Sequence, residues 1–162
     1  MISFVFERTY PIQRAVLFAL HESPSLLTRL QDARDFRIVS HDGHLRPGAH
    51  VTVKRRLGPF WLTFVFEQMI YEPPARFGEV MVRGPFRSFR HVHEFEEAAG
   101  GASTLVRDRL EFSLPWWMGG AIGERFAAGP RMKAMFVHRQ EALARLVAQS
   151  APQAEIRRPP AG

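Results

Sequence analysis

The residues best suited to chemistry are two histidines and an aspartate. In the stretch RSFRHVHEFEE, His91 and His93 stand two apart. A strand period of two puts them on one face with Arg87, Phe89 and Phe95, leaving Ser88, Arg90, Val92 and Glu94 on the other. A second strand pattern, LVRDRLEFSL, places Val106, Asp108, Leu110, Phe112 and Leu114 on one face. Asp108 is the one charge in that row. Between the two patterns Ala98-Ala99-Gly100-Gly101 signals a turn, and folding there brings like faces together. Pairing Phe95 with Thr104 sets His91 against Asp108 and His93 against Val106, whereas a slip of two residues sets His93 against Asp108. In either register an imidazole meets an inward carboxylate. Such a pair can be a satisfied buried hydrogen bond that fixes register, can orient a ligand, or can act as a general base that removes a proton alpha to a carbonyl, as an aldol cyclisation requires. His91, His93 and Asp108 could also supply three metal ligands. Nothing in the spacing requires a metal, and the sequence calls for no cofactor.

Other polar residues fall near this pair. Gln68 is the polar member of an otherwise apolar row, Phe60, Leu62, Phe64, Phe66 and Ile70, on a strand pattern from Phe60 to Tyr71. Glu79 and Arg83 join the inward set if Gly84-Pro85 makes a bulge in the strand that begins at Phe77. His41, His44 and His50 sit at a turn and read as exposed. Ser88, Ser103 and Ser113 have no nucleophile-elbow context, and the glycine pairs match no phosphate loop.

Composition narrows the classes. The chain has 162 residues and no cysteine, which excludes disulfides, thiolate metal sites and a cysteine nucleophile. The net charge is +6, and every basic residue but Lys54 and Lys133 is arginine. These are scattered, with one tight run at Lys54-Arg55-Arg56, so solvated outer faces are expected rather than nucleic-acid binding. Met1 leads straight into a strand pattern with no basic or apolar leader. No stretch approaches the roughly 20 apolar residues of a membrane span. A cytoplasmic protein without membrane insertion is expected.

The elements that must position the polar set follow in order. Ile2 to Arg8 alternates as a strand. Pro11 opens a helix from Ile12 to His21, and Ser23-Pro24 opens a second short helix through Leu26, Leu27 and Leu30. Phe36 to Ser40, Ala49 to Leu57 and Phe60 to Tyr71 read as strands, followed by the Phe77 stretch and the two strands above. A long helical pattern from about Ala121 to Ala148 carries Ile122, Phe126, Met132, Met135, Phe136, Arg139, Leu143 and Val147 near helical spacing, with a kink or split expected at Gly129-Pro130. An antiparallel sheet with one apolar face needs a cover, and this helix is the element long enough to supply it. The fold class is therefore α+β: a curved antiparallel sheet of about seven strands around a long C-terminal helix, with two short helices after the first strand. One domain spans 1–150, and 151–162 is expected to be a disordered tail.

Three pieces in this order, Tyr71-Glu72-Pro73-Pro74 with Arg76-Phe77, Gly84-Pro85-Phe86 followed by Phe89, His91 and His93, and Asp108 with Leu114-Pro115, give the chain a likeness to a known group. Over roughly residues 2 to 147 it resembles the START-like, Bet v 1-like (SRPBCC) superfamily with the helix-grip fold. The likeness is greatest to bacterial ligand-binding members labelled polyketide cyclase or dehydrase. Phe89 stands where a tryptophan is usual and Gln68 where an aliphatic residue is usual. The resemblance implies a hydrophobic cavity between sheet and helix that binds lipids, polyketides, sterols or other apolar molecules. The wall expected from the residues is Phe64, Phe66, Phe89, Leu110, Phe112, Phe126 and Met135, with Gln68, His91 and His93 as polar groups toward the ligand. The alternative is an aromatase or cyclase with His91, His93 and Asp108 as its catalytic set. A third reading makes Trp61, Met69 and Tyr71 an exposed surface for a partner, a second copy of the chain included.

Overall fold

Alternating side chains in seven stretches form seven strands. In the computed structural model, which describes residues 1–155 and the side chains of residues 1–149, these join into one antiparallel sheet. The chain runs β1 (Ile2–Tyr10), α1 (Arg14–Glu22), α2 (Pro24–Arg29), β2 (Phe36–His41), β3 (His50–Leu57), β4 (Phe60–Glu72), β5 (Arg76–Arg83), β6 (Ser88–Ala98) and β7 (Ser103–Ser113). A short α3 (Gly120–Gly123), a π-helical turn (Glu124–Ala128) and the long α4 (Gly129–Glu155) complete it. Strand order is β1-β7-β6-β5-β4-β3-β2, so every strand from β2 to β7 pairs with its successor and β1 pairs with β7. The sheet curves around α4, the helix-grip arrangement.

The long helix lies on the inner face because its apolar stripe matches that face. Phe136, Leu143 and Val147 are buried, and Phe136 stacks on Phe6 of β1 with ring centroids 4.8 Å apart. Leu110, Phe112, Leu114 and Phe6 complete this cluster. A second cluster brings Leu17 and Phe18 of α1 together with Phe77, Phe95, Leu143 and Val147. Among the described residues no helix is long and apolar enough to cross a membrane.

Several local expectations are corrected. Gly84-Pro85 is not a bulge within one strand but the reversal between β5 and β6, which pair antiparallel from Arg76↔Glu94 to Val80↔Arg90. A residue without an N–H cannot continue a ladder, and Arg83 is left exposed. A true bulge lies in β4, where the β5 register shifts between Gln68 and Ile70. It turns Met69 outward and flips the residues after it, so Tyr71 packs on Phe18 and donates to Glu22 Oε1 at 2.5 Å. Trp61 is half-buried beneath the Arg37 guanidinium, 4.5 Å from the ring. Of the three residues expected to form a partner surface, only Met69 is exposed.

The α-helix α4 begins at Gly129, directly after the π-helical turn, so the uniform helical register expected to be interrupted at Gly129-Pro130 does change at Pro130. Its ring crowds the carbonyl four residues back, and the turn before it takes π-helical register. That change of phase points Ile122 and Phe126 outward. The final helix continues to Glu155, into the stretch expected as tail, and residues 156–162 lie outside the described residues.

Leu110 has no solvent exposure. Leu110→Ala should lower the unfolding free energy by about 2–5 kcal/mol in a urea titration, the range for emptying a leucine-sized space in a packed core. A loss under about 1 kcal/mol would show that the β7 face is not packed against α4 as described.

Candidate functional site

The register of β6 on β7 builds the site. The chain reverses through Ala99–Gly101, where Ala99, Gly100 and Gly101 all have positive φ, and Phe95 pairs with Val106. His93 therefore stands opposite Asp108 and His91 opposite Leu110, the second of the two registers considered from the sequence. Two rows of inward side chains cross the sheet. One runs Phe77, His93, Asp108, Phe6; the next runs Gln68, Glu79, His91, Leu110.

These rows form a continuous polar chain in an otherwise apolar interior. Gln68 Nε2 donates to Glu79 Oε2 at 3.2 Å, and Glu79 Oε1 lies 3.8 Å from His91 Nδ1. His91 Nε2 is 3.3 Å from Asp108 Oδ1. His93 Nδ1 is 2.5 Å from the same oxygen. His91 is 2 % exposed and Asp108 6 %. The imidazoles of His91 and His93 lie 4.0 Å apart, and His93 stacks on Phe77 at 4.4 Å.

Burial and charge set different protonation states on the three groups. Burial would raise the Asp108 carboxyl, but the adjacent imidazoles hold it well below the usual carboxylate range. Burial would likewise depress His91, yet its bonds to Asp108 and Glu79 outweigh that and raise it above 6.5. His93 is pushed down to about 3 by burial and by the charge on His91, with Asp108 only partly compensating. The cluster therefore keeps Asp108 as a carboxylate and His93 as a neutral imidazole, with the proton favoured on His91.

The sequence reading missed His21, at the end of α1. Its Nδ1 donates to the Leu17 carbonyl at 2.8 Å, and its ring lies 5.7 Å from that of His93. Burial lowers its pKa, so it is a second neutral imidazole. The i, i+4 spacing of Leu17 and His21 was the available signal. Arg55 was also missed as an inward group. It alternates with Val51 and Val53 on β3, is half-buried and donates to Gln31 Oε1 at 2.5 Å. Arg139 faces it from α4, its guanidinium 5.2 Å from the Phe136 ring.

All of these except Asp108 border a cavity of about 580 Å³ between the inner sheet face, α2 and α4, within the usual size of small-molecule sites, roughly 300–1,000 Å³. Its wall includes Phe64, Phe66, Phe89 and Met135, with Gln68, Glu79, His91 and His93 among its polar members. Asp108 stands behind the histidines. Leu110 and Phe112 do not line the cavity; they fill the core cluster against Phe136. Phe126, expected on the wall, is 73 % exposed, because the π-helical turn carries it to the outer side.

His91, His93 and Asp108 are also the group best placed to hold a metal, with one ligand atom from each lying within 4.8 Å of the others. Imidazole and carboxylate suit zinc or iron. A cation there would have to displace the proton of His91, which now balances Asp108.

No protein-family model matches the sequence, and no curated protein matches it. Solved structures do match over nearly the whole chain. The protein TTHA0849 from Thermus thermophilus superposes with a TM-score of 0.71 at 15 % identity, covering 92 % of this chain and 99 % of that one. A norcoclaurine synthase point mutant from Thalictrum flavum, in complex with a transition state analogue, gives 0.66 at 14 % identity, covering 93 % and 96 %. Ara h 8.0201 gives 0.56 at 14 % identity, covering 88 % and 98 %. The chain has the START-like, Bet v 1-like fold. In this helix-grip chain the polar cluster sits on β5, β6 and β7, midway across the sheet and under α4.

Because the folded state keeps His93 neutral down to about pH 3 while a free imidazole protonates near 6.5, its contribution to stability is complete above 6.5 and is lost as pH falls toward 3. His91 acts in the opposite sense: its contribution is complete below 6.5 and is lost as pH rises through its raised pKa. Thermal melts followed by circular dichroism should therefore show a shallower acid limb for His93→Gln than for the unmodified chain, with His21 supplying the remainder. An unchanged slope between pH 6.5 and 4 would refute this protonation pattern.

Proposed function

We propose that the protein binds a hydrophobic small molecule, such as a lipid or polyketide, inside the helix-grip cavity. The observation that carries this reading is the cavity itself: space of about 580 Å³ walled in large part by phenylalanine, leucine and methionine side chains, with the buried Gln68, Glu79, His91 and His93 among its polar groups. Such a site takes an apolar body and orients one polar end. Gln68 Oε1 is buried without a hydrogen-bond partner, and Arg55 and Arg139 form no ion pair among the described residues. These groups supply one acceptor and two cations for the polar end of a guest. That a protein of the same fold holds a transition state analogue supports the use of this interior for small molecules.

A cyclase or aromatase using a His/Asp general base is the second reading, and the protonation pattern weighs against it. The carboxylates beside His91 raise its pKa and favour its protonated form, which is not a base. His93, held down to about 3, is a weak base at neutral pH, whereas an effective general base titrates near the working pH. The cluster is better suited to donating from His91 to a ligand carbonyl.

Native mass spectrometry of the purified chain should reveal a co-purifying apolar molecule, or show stoichiometric uptake of an added hydrophobic ketone. His91→Gln should weaken binding of that ketone about tenfold, the scale of one hydrogen bond from a charged donor, and leave an aliphatic hydrocarbon probe unaffected. Failure of the unmodified chain to bind either probe would remove the binding reading. A His91→Gln chain that keeps full affinity for a poly-β-keto thioester but loses its cyclisation would establish the enzyme reading instead.

A further inference from the structure

The cavity accounts for the inward apolar residues but not for a group that faces away from it. Trp116 is 86 % exposed, Trp117 62 %, Ile122 73 % and Phe126 73 %. All four lie on the short segment between β7 and α4. Met118, Ala127 and Ala128 of the same segment line the cavity. One layer of chain therefore has cavity on its inner side and large apolar side chains on its outer side. Contiguous exposure of this kind marks an interaction surface.

Charge decides what the surface fits. From Trp116 to Gln140 the one acidic residue is Glu124, which is buried and accepts the Leu114 N–H at 2.8 Å. Arg125, Arg131 and Lys133 are exposed and form no ion pair among the described residues. The Arg125 guanidinium lies 5.7 Å from the Phe126 ring. A second copy of the chain would bring the same cationic rim against this one. An anionic bilayer offers the complement: phosphates for the basic side chains, and a headgroup boundary where tryptophan rings are favoured.

We propose that the segment from Trp116 to Lys133 docks the protein peripherally on an anionic lipid surface. Trp116, Trp117, Ile122 and Phe126 enter the headgroup boundary, Arg125 and Lys133 meet the lipid phosphates, and Arg131, which also lines the cavity, stands at its margin. Docking in this pose lays the cavity wall formed by Met118, Ala127 and Ala128 against the membrane. The inference goes beyond the binding reading and does not depend on it, because it rests on the outer side of the segment.

The test uses the full chain carrying Trp61→Phe, which leaves Trp116 and Trp117 as its tryptophans. It should sediment with phosphatidylcholine vesicles containing about one-third phosphatidylglycerol, with a blue shift of tryptophan emission, and bind at least about tenfold more weakly to phosphatidylcholine alone or in high salt. Adding Trp116→Ser and Phe126→Ser, both at exposed positions, should leave the thermal melt unchanged and reduce vesicle binding by at least about tenfold. The proposal is overturned if the Trp61→Phe chain ignores anionic vesicles, or if the serine variants bind as well as their parent. It is equally overturned if the serine substitutions abolish a concentration-dependent self-association without affecting vesicles, which assigns the patch to a second copy. Retained binding of a hydrophobic ketone by the serine variants would separate this outcome from any failure of the cavity reading.

Discussion

A carboxylate buried in the middle of a sheet is the constraint on which the interior depends. An isolated charge at Asp108 would cost several kcal/mol of lost hydration, and among the described residues no arginine or lysine forms an ion pair with it. Two imidazoles do so instead, His91 through Nε2 and His93 through Nδ1. Because one positive charge suffices, the histidines divide the work: His91 holds the proton between Asp108 and Glu79, and His93 stays neutral. The β6–β7 register, the inward turn of Glu79 and the polar groups of the cavity all follow from satisfying that carboxylate. A one-residue slip would carry the whole set to the solvent face.

Much of this was legible in the sequence because it rests on a period of two. Alternation placed His91, His93 and Asp108 on a common inward face, and apolar rows identified the strands and the covering helix. What alternation could not supply was register, since a turn built on Ala99, Gly100 and Gly101 permits more than one reach between the strands. The bulge at Met69 was equally silent, as a single added residue leaves the composition of β4 unchanged while reversing the direction of Tyr71. Phe126 was misplaced for a parallel reason. Its spacing from Met132 and Met135 suits a uniform α-helix, and Pro130 removes that uniformity. His21 escaped notice because it approaches the cluster from a separate element.

The same interruptions shape the interior. The bulge in β4 and the π-helical turn before α4 are places where regular hydrogen bonding yields. Apolar side chains from α2, β3, β4, β6 and α4 line the cavity beside Gln68, Glu79, His91 and His93.

The strand order carries a consequence for how the chain is made. β1 has β7 as its sheet neighbour, with Ile2 opposite Phe112. During synthesis the first strand emerges long before the edge it must join, and Phe4 and Phe6 have no sheet to rest on in that interval. Non-local pairings of this sort form slowly and leave sticky surface open meanwhile. The hairpins from β2 to β7 pair strands that follow one another in the chain, whereas β1 must wait for β7.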